Sequence, residues 1–352
     1  MAEKRLCIID FLKGLSALII MIYHYRHIVV YSGLPNASMS LPLENIFNLI
    51  YRYGYLCVEL FFFLSGFGMA INYLDCRLSP LTFKDFIVPK IKKLYPAYFI
   101  TTFIVVIIQY FSLMTQGSML LGLKNYTFVD VVLNVFMVGT GIFATRVPFN
   151  VPAWFLTPLI VCYCLFYFII RQHKEERIYG CIILMLIGAV CLYNKWMEPI
   201  FNERMARGIF SFFLGSCIYF FVYKNKEYFD RRDKCFLLII TFFSCFLLKI
   251  AGSGVIYISS IIIFSLVFSC IILSEMIEKR IFMKIEILYK PLQRLSYQIF
   301  LSHYVILTLM AFIAKKYSCY QLFYDIKVFF IYVCLTFMFS IFLCKVTKIN
   351  KF

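Results

Sequence analysis

Five ionisable side chains crowd one otherwise apolar stretch near the start of the chain: Asp10, Lys13, His24, Arg26 and His27. Lys13 and His24 stand eleven residues apart. At about 100° per residue this is close to three helical turns, so both project from one face with ~16 Å of rise between them. Asp10 lies one turn before Lys13 on that face, placed to pair with it. A neutral imidazole at His24 has the chemistry to take a proton from a hydroxyl. Arg26 and His27 fit side chains that reach to an interface along apolar stems. Only four His occur in the chain, and the alignment with Lys13 singles out His24.

A second apolar stretch carries Glu59 and, further on, Ser65, Gly66 and Gly68. A carboxyl in such surroundings needs a partner or a proton. Glu59 could orient His24 or bind a substrate, and the Ser65 hydroxyl could donate to a developing oxyanion. The small residues let another helix or a ligand come close. Lys84, Lys90, Lys92 and Lys93 then precede Pro96. They read either as plain cytoplasmic charge or as a phosphate site. Ser296, Tyr297 and His303 form a later polar group in apolar surroundings, and Trp154 opens another apolar run. Arg207 begins a sixth, and His173 lies on a loop with no assigned role. No Cys-x-x-Cys pair is present among 14 cysteines, so Cys162, Cys164, Cys191, Cys217 and Cys270 read as small buried hydrophobes and no metal is expected.

The elements that must position these residues are membrane helices. Of 352 residues, 62% are hydrophobic and 15% charged, against about 25% charged in a soluble protein. A soluble fold of this size cannot cover that much apolar surface, which excludes a cytosolic enzyme, a disordered chain and a disulfide-rich secreted domain. A hydrocarbon core about 30 Å thick takes about 20 residues per helix. On that measure the sequence predicts an all-α polytopic bundle of about ten spans: 11–32, 53–74, 95–115, 152–171, 177–195, 207–224, 234–250, 254–274, 295–315 and 325–345. The loops at 75–94 and 275–294 read as basic interfacial segments, and Thr127–Thr145 as a half-buried or re-entrant helix. With the N-terminus inside, 23 Lys and Arg fall on cytoplasmic segments and 10 on exterior ones, placing both termini in the cytoplasm. The net charge of +17 therefore points to anionic lipid and not to nucleic acid. The first span is not a cleaved signal, because Asp10 and Lys13 interrupt it. No pair of Gly/Pro-broken spans of the transporter kind is visible.

On these residues the chain resembles acyltransferase family 3, membrane-bound enzymes that O-acylate cell-surface polysaccharides and related acceptors. The run Ile9-Asp10 through Lys13-Gly14 to His24 is similar to the family's opening motif, a basic residue and a His with ten residues between them. Phe61 to Phe67 resembles its Phe-Phe-x-x-Ser-Gly-Phe element. Lys90 to Pro96 resembles its R-x-x-R-x-x-P element, with Lys in both Arg positions, which keeps the charge and loses the bidentate fork. Trp154-Phe155-Leu156 and Ser296-Tyr297 with His303 also resemble family positions. The matches run in order from about residue 5 to 305. The resemblance implies one domain over 1–352, without the SGNH-type domain fused to some relatives. It implies an acyl-CoA donor, acetyl-CoA foremost, held by Lys13, Lys90 and Lys93. It implies His24 as base, with Glu59 and Ser65 assisting, and Asp10, Trp154 and His303 on the acceptor side. The expected acceptor is a glycan or lipid-linked glycan, and the expected location the bacterial cytoplasmic membrane, surrounded by lipid. A homodimer is compatible with all of this. A transporter or flippase of lipid-linked sugars is the rival class, and a structural partner in polysaccharide export a third.

Overall fold

The structure, a computed structural model, describes residues 7–31, 40–75, 81–123, 126–138, 148–195, 202–228, 233, 239, 256–273 and 286–347. It is helical, with no strand among the described residues. The helices are α1 (Cys7–Tyr31), α2 (Glu44–Tyr53), α3 (Cys57–Tyr73), α4 (Phe83–Gln116), α5 (Phe128–Val135), α6 (Leu156–Ile170), α7 (Arg177–Tyr193), α8 (Glu203–Ile218), α9 (Ile256–Leu273), α10 (Glu286–Tyr317) and α11 (Ile326–Thr347).

Among the described residues, seven stretches are long and apolar enough to cross a membrane: Ile9–Tyr31, Glu44–Tyr73, Phe83–Gln116, Val151–Ile170, Glu203–Tyr223, Tyr289–Tyr317 and Ile326–Thr347. They overlap seven of the expected spans. Two more of the expected spans are covered by helices, α7 with 17 residues and the wholly uncharged α9 with 18. The 17 residues of α7 rise about 26 Å, just under the hydrocarbon thickness. The expected span 234–250 falls outside the described residues apart from 239.

Two boundaries differ from expectation. The third span begins at Phe83 and not near 95, so most of the basic 75–94 segment is the first part of a 34-residue helix. Its start is fixed by Thr82, whose hydroxyl accepts from the Asp85 amide at 3.2 Å, and its end by Gly117 at φ 72°. Pro89 and Pro96 lie inside it. Each removes one backbone donor, but the helix continues through both. Likewise α10 begins at Glu286 and runs through Pro291 rather than starting near 295. Of the stretch expected as a half-buried helix over 127–145, Phe128–Val135 is helical and 139–145 lies outside the described residues.

Burial sorts the helices into inner and outer. The apolar windows of the second and fifth stretches, containing α3 and α8, are each 78% buried, whereas that of α11 is 28% buried. On α4, Phe99, Phe103, Ile107 and Phe111 recur every four residues and are all exposed. An apolar stripe of this kind is stable against lipid and not against water.

The closest pairings are α1 with α10, α3 with α8 and α7 with α8. Helices α1 and α10 run parallel, since Gly14 meets Leu292 and His24 meets His303. Helices α3 and α8 also run parallel, with Glu59 beside Arg207 and Gly66 beside Phe212 and Ser216. Helix α9 follows the same direction, its Tyr257 against Tyr55 and its Phe268 against Phe67. The last turns of α1 and the first turns of α3, α6, α8 and α9 therefore meet at one end of the bundle. The last turn of α3 meets the early turns of α4 and α7 at the other.

Candidate active site

His24 lies about seven-tenths of the way along α1 and is buried at 7% exposure. Its Nδ1 is 2.9 Å from the Ile20 carbonyl oxygen. A carbonyl only accepts, so the hydrogen of the neutral ring sits on Nδ1 and the lone pair on Nε2. His303 on α10 repeats this, with Nδ1 3.0 Å from the Ile299 oxygen. The two rings are 4.9 Å apart, centroid to centroid. The Nε2 of His303 is buried and without a hydrogen-bond partner among the described residues. His27 completes the group at 4.8 Å from His24, and Tyr23 meets both rings edge-on at 5.0 and 5.4 Å. The structure thus joins His24 to His303, two residues far apart in sequence. Among the described residues no three His, Cys, Asp or Glu side chains form a metal-holding set.

Glu59 does not turn to His24. Its partner is Arg207, whose Nε–H donates to Glu59 Oε1. Glu59 is 1% exposed, and two charges removed from water in this way hold only because each compensates the other. The guanidinium packs against two rings, 4.6 Å from the Trp154 centroid and 4.4 Å from that of Tyr257. Trp154 sits in a 3₁₀ turn, Val151–Phe155, before α6, where it covers Arg207. Glu203, one turn back on α8, is 3.9 Å from Arg207 Nη1. The second carboxylate oxygen, Glu59 Oε2, is buried and without a partner among the described residues. So is the hydroxyl of Ser211, one turn beyond Arg207.

These two groups are joined by rings. Tyr257 meets Tyr55 at 5.9 Å, Tyr55 meets Tyr23 at 5.7 Å, and Tyr23 meets His24. Sequence alone singled out His24, Glu59 and Trp154. It named Arg207 without a role and attached no role to Tyr23, Tyr55 or Tyr257. The signal for Arg207 was available, because a buried acid in one span demands a base in another.

The remaining candidates lie elsewhere. Ser65 Oγ donates to the Phe61 carbonyl at 2.7 Å, back along its own helix. Lys90 is half-buried, its Nζ bonded to the Phe86 carbonyl at 2.9 Å and lying 3.6 Å from the Phe86 ring, with Tyr73 and Tyr163 beyond. Lys93 is exposed, and Asp10 and Lys13 are half-buried. Lys90 contacts Tyr73 in the last turn of α3, so it stands at the end of the bundle opposite Glu59 and Arg207.

The acyltransferase domain family matches residues 8–345, nearly the whole chain. This protein is a member of that family. No curated protein and no solved structure matches it. It is accordingly an acyltransferase by family, built as a multi-pass helical membrane protein.

Proposed function

We propose that the protein moves an acyl group, acetyl in this reading, from acyl-CoA on the cytoplasmic side to a hydroxyl of a cell-surface polysaccharide or its lipid-linked precursor. The membrane is the bacterial cytoplasmic membrane. The observation that carries the reading is His24. It is buried beside a second His, and the Ile20 carbonyl fixes its tautomer so that Nε2 is the basic atom.

In this mechanism the acceptor hydroxyl oxygen attacks the thioester carbonyl carbon while its proton passes to His24 Nε2. The carbon–sulfur bond breaks, the ester forms, and His24 returns the proton to the thiolate of CoA. His303, with its own bare Nε2, holds the hydroxyl or the imidazolium beside it. Lys13, Lys90 and Lys93 supply positive charge for the donor phosphates, as compact point charges. Lys90 must leave its carbonyl and ring contacts to reach a phosphate; Lys93 is exposed already. Ser65 reaches an oxyanion only by giving up its bond to Phe61.

The test is acetyl-CoA-dependent thiol release and label transfer to envelope glycan by the purified full chain in detergent. Replacing His24 by Gln should lower turnover by about 10²- to 10⁴-fold, the range for loss of a general base, with acetyl-CoA binding retained. Wild-type turnover in His24→Gln would sink the assignment.

A further inference from the structure

Glu59 presents an arrangement that charge pairing alone leaves unfinished. One carboxylate oxygen is bonded to Arg207, and the other is buried with no partner among the described residues. A carboxylate oxygen accepts hydrogen bonds and never donates, so what it lacks is a donor. Arg207 packs against the rings of Trp154 and Tyr257, which pin it and hold Glu59 Oε1 in turn. Trp154, Tyr257 and Tyr55 are each only half-buried, so part of each ring is accessible at that end of the bundle, with Glu59 just beneath them at 1% exposure. From there Tyr257, Tyr55 and Tyr23 form a chain of ring contacts to His24, each ring inclined steeply to the next.

We infer that this is a subsite for a pyranose ring of the acceptor, with Glu59 Oε2 accepting from a ring hydroxyl. The sugar's apolar C–H face lies on one of these tyrosine rings, and another hydroxyl of the same glycan is directed towards His24. A few placed polar groups within an aromatic surround are the usual makings of a small-molecule site. A polyhydroxylated ring supplies both the donor and the flat apolar face. Arg207 is a positioning residue: it fixes Glu59 and touches no substrate. The inference rests on the proposed acceptor being a glycan.

The chain holds two Trp, Trp154 and Trp196. A Trp196→Phe variant therefore leaves Trp154 as the single reporter at the subsite. This full-length variant, in detergent, is titrated with the methyl pyranosides of glucose, galactose, mannose and N-acetylglucosamine, and with open-chain sorbitol as control. The expected result is a saturable change in Trp154 emission with at least one pyranoside and none with sorbitol. Adding Glu59→Gln should weaken that binding about tenfold or more, the loss of a charged acceptor. Gln keeps an oxygen for Arg207 and puts an NH₂ where Oε2 stood. Tyr257→Leu, at a half-exposed position, should weaken it too and serves if Glu59→Gln does not fold. No saturable change with any pyranoside, or undiminished binding in a folded variant of either kind, would overturn the inference. Sugar binding needs no acetyl-CoA. Sugar binding without acetyl-CoA binding would refute the donor reading and leave the subsite standing, and the converse would do the opposite.

Discussion

Glu59 and Arg207 stabilise the bundle only together. Removing one member leaves a charge buried without compensation, which costs about 3–5 kcal/mol. Arg207→Met should therefore lower stability by that amount in thermal unfolding. The double variant Glu59→Met/Arg207→Met should recover most of it, because apolar replacement of a buried pair is often neutral. A double variant no better than the single one would mean that the loss comes from the packing of Arg207 on Trp154 and Tyr257 and not from the unpaired charge. Single positions were legible in the sequence where cost made them conspicuous: His24 and Glu59 are expensive in apolar surroundings and announce themselves. Their partners were not legible. Arg207 meets Glu59 across 148 positions, and His303 meets His24 across a gap nearly twice as long, so only tertiary packing joins them. Ser65 shows the opposite error. Its place in a motif suggested a donor, while its hydroxyl turns back to Phe61, a common fate of Ser within helices.

Helices α3 and α8 approach through glycine. A Cβ at Gly66 would lie 1.8 Å from the Phe212 carbonyl oxygen, and one at Gly215 would lie 2.1 Å from that of Phe63. Backbone cannot yield as a side-chain tip can, so Gly66→Ala should cost about 2 kcal/mol or more by pushing the helices apart. Gly68 has nothing within 4 Å of a built Cβ. There Ala should add about 0.5–1 kcal/mol through helix propensity alone. Thermal unfolding of the two variants compares these signs directly; equal effects would contradict the packing described. The sequence marked this small-residue face without distinguishing its two glycines, because which one faces a neighbour depends on the helix rotation.

The far end of the same helix pair is tied by Asp75, which accepts from Lys224 Nζ and from the Tyr219 hydroxyl, each at 2.8 Å. Burial pushes the Asp75 carboxyl up, but these two bonds outweigh it and hold it below the usual 3.8. A lowered folded value means the tie is fully present above about pH 4 and is lost as pH falls through that value. With side chains 30% and 38% exposed, it contributes under ~1 kcal/mol. Stability should fall more steeply below pH 4 in wild type than in Asp75→Asn, as read by unfolding at pH 3 and pH 6. Span positions were legible because apolar length is a direct demand of the bilayer. The starts of α4 and α10 were not, because basic residues and prolines at Lys84–Pro96 and at Lys290–Arg294 look like loop in a hydropathy count while the backbone stays helical.

On the scale of the whole molecule, the bundle separates two chemistries. Buried histidines and the Glu59–Arg207 pair lie towards one end, and Lys90 lies at the other, with Lys13 about 16 Å of helix rise from His24 towards it. A net charge of +17, weighted to one set of loops, fits an orientation in which the lysine end faces the cytoplasm and an anionic donor. Such a division suits transfer between a soluble cytoplasmic donor and an acceptor on the far side. It does not require the whole CoA molecule to cross the bilayer. Class was legible from composition alone, and the charge bias from where Lys and Arg fall between the apolar runs. How deeply the two sets of residues sit was not, since depth depends on how the helices stack.

The most direct measurement is binding of acetyl-CoA and desacetyl-CoA to the purified chain in detergent by calorimetry, comparing wild type with His24→Ala and with Lys90→Ala/Lys93→Ala. Binding should be saturable, survive the histidine change and weaken with the lysine changes. The weakening should itself shrink at high salt, as a phosphate contact must. No saturable binding by folded wild-type protein would contradict it and favour a transporter of lipid-linked sugars.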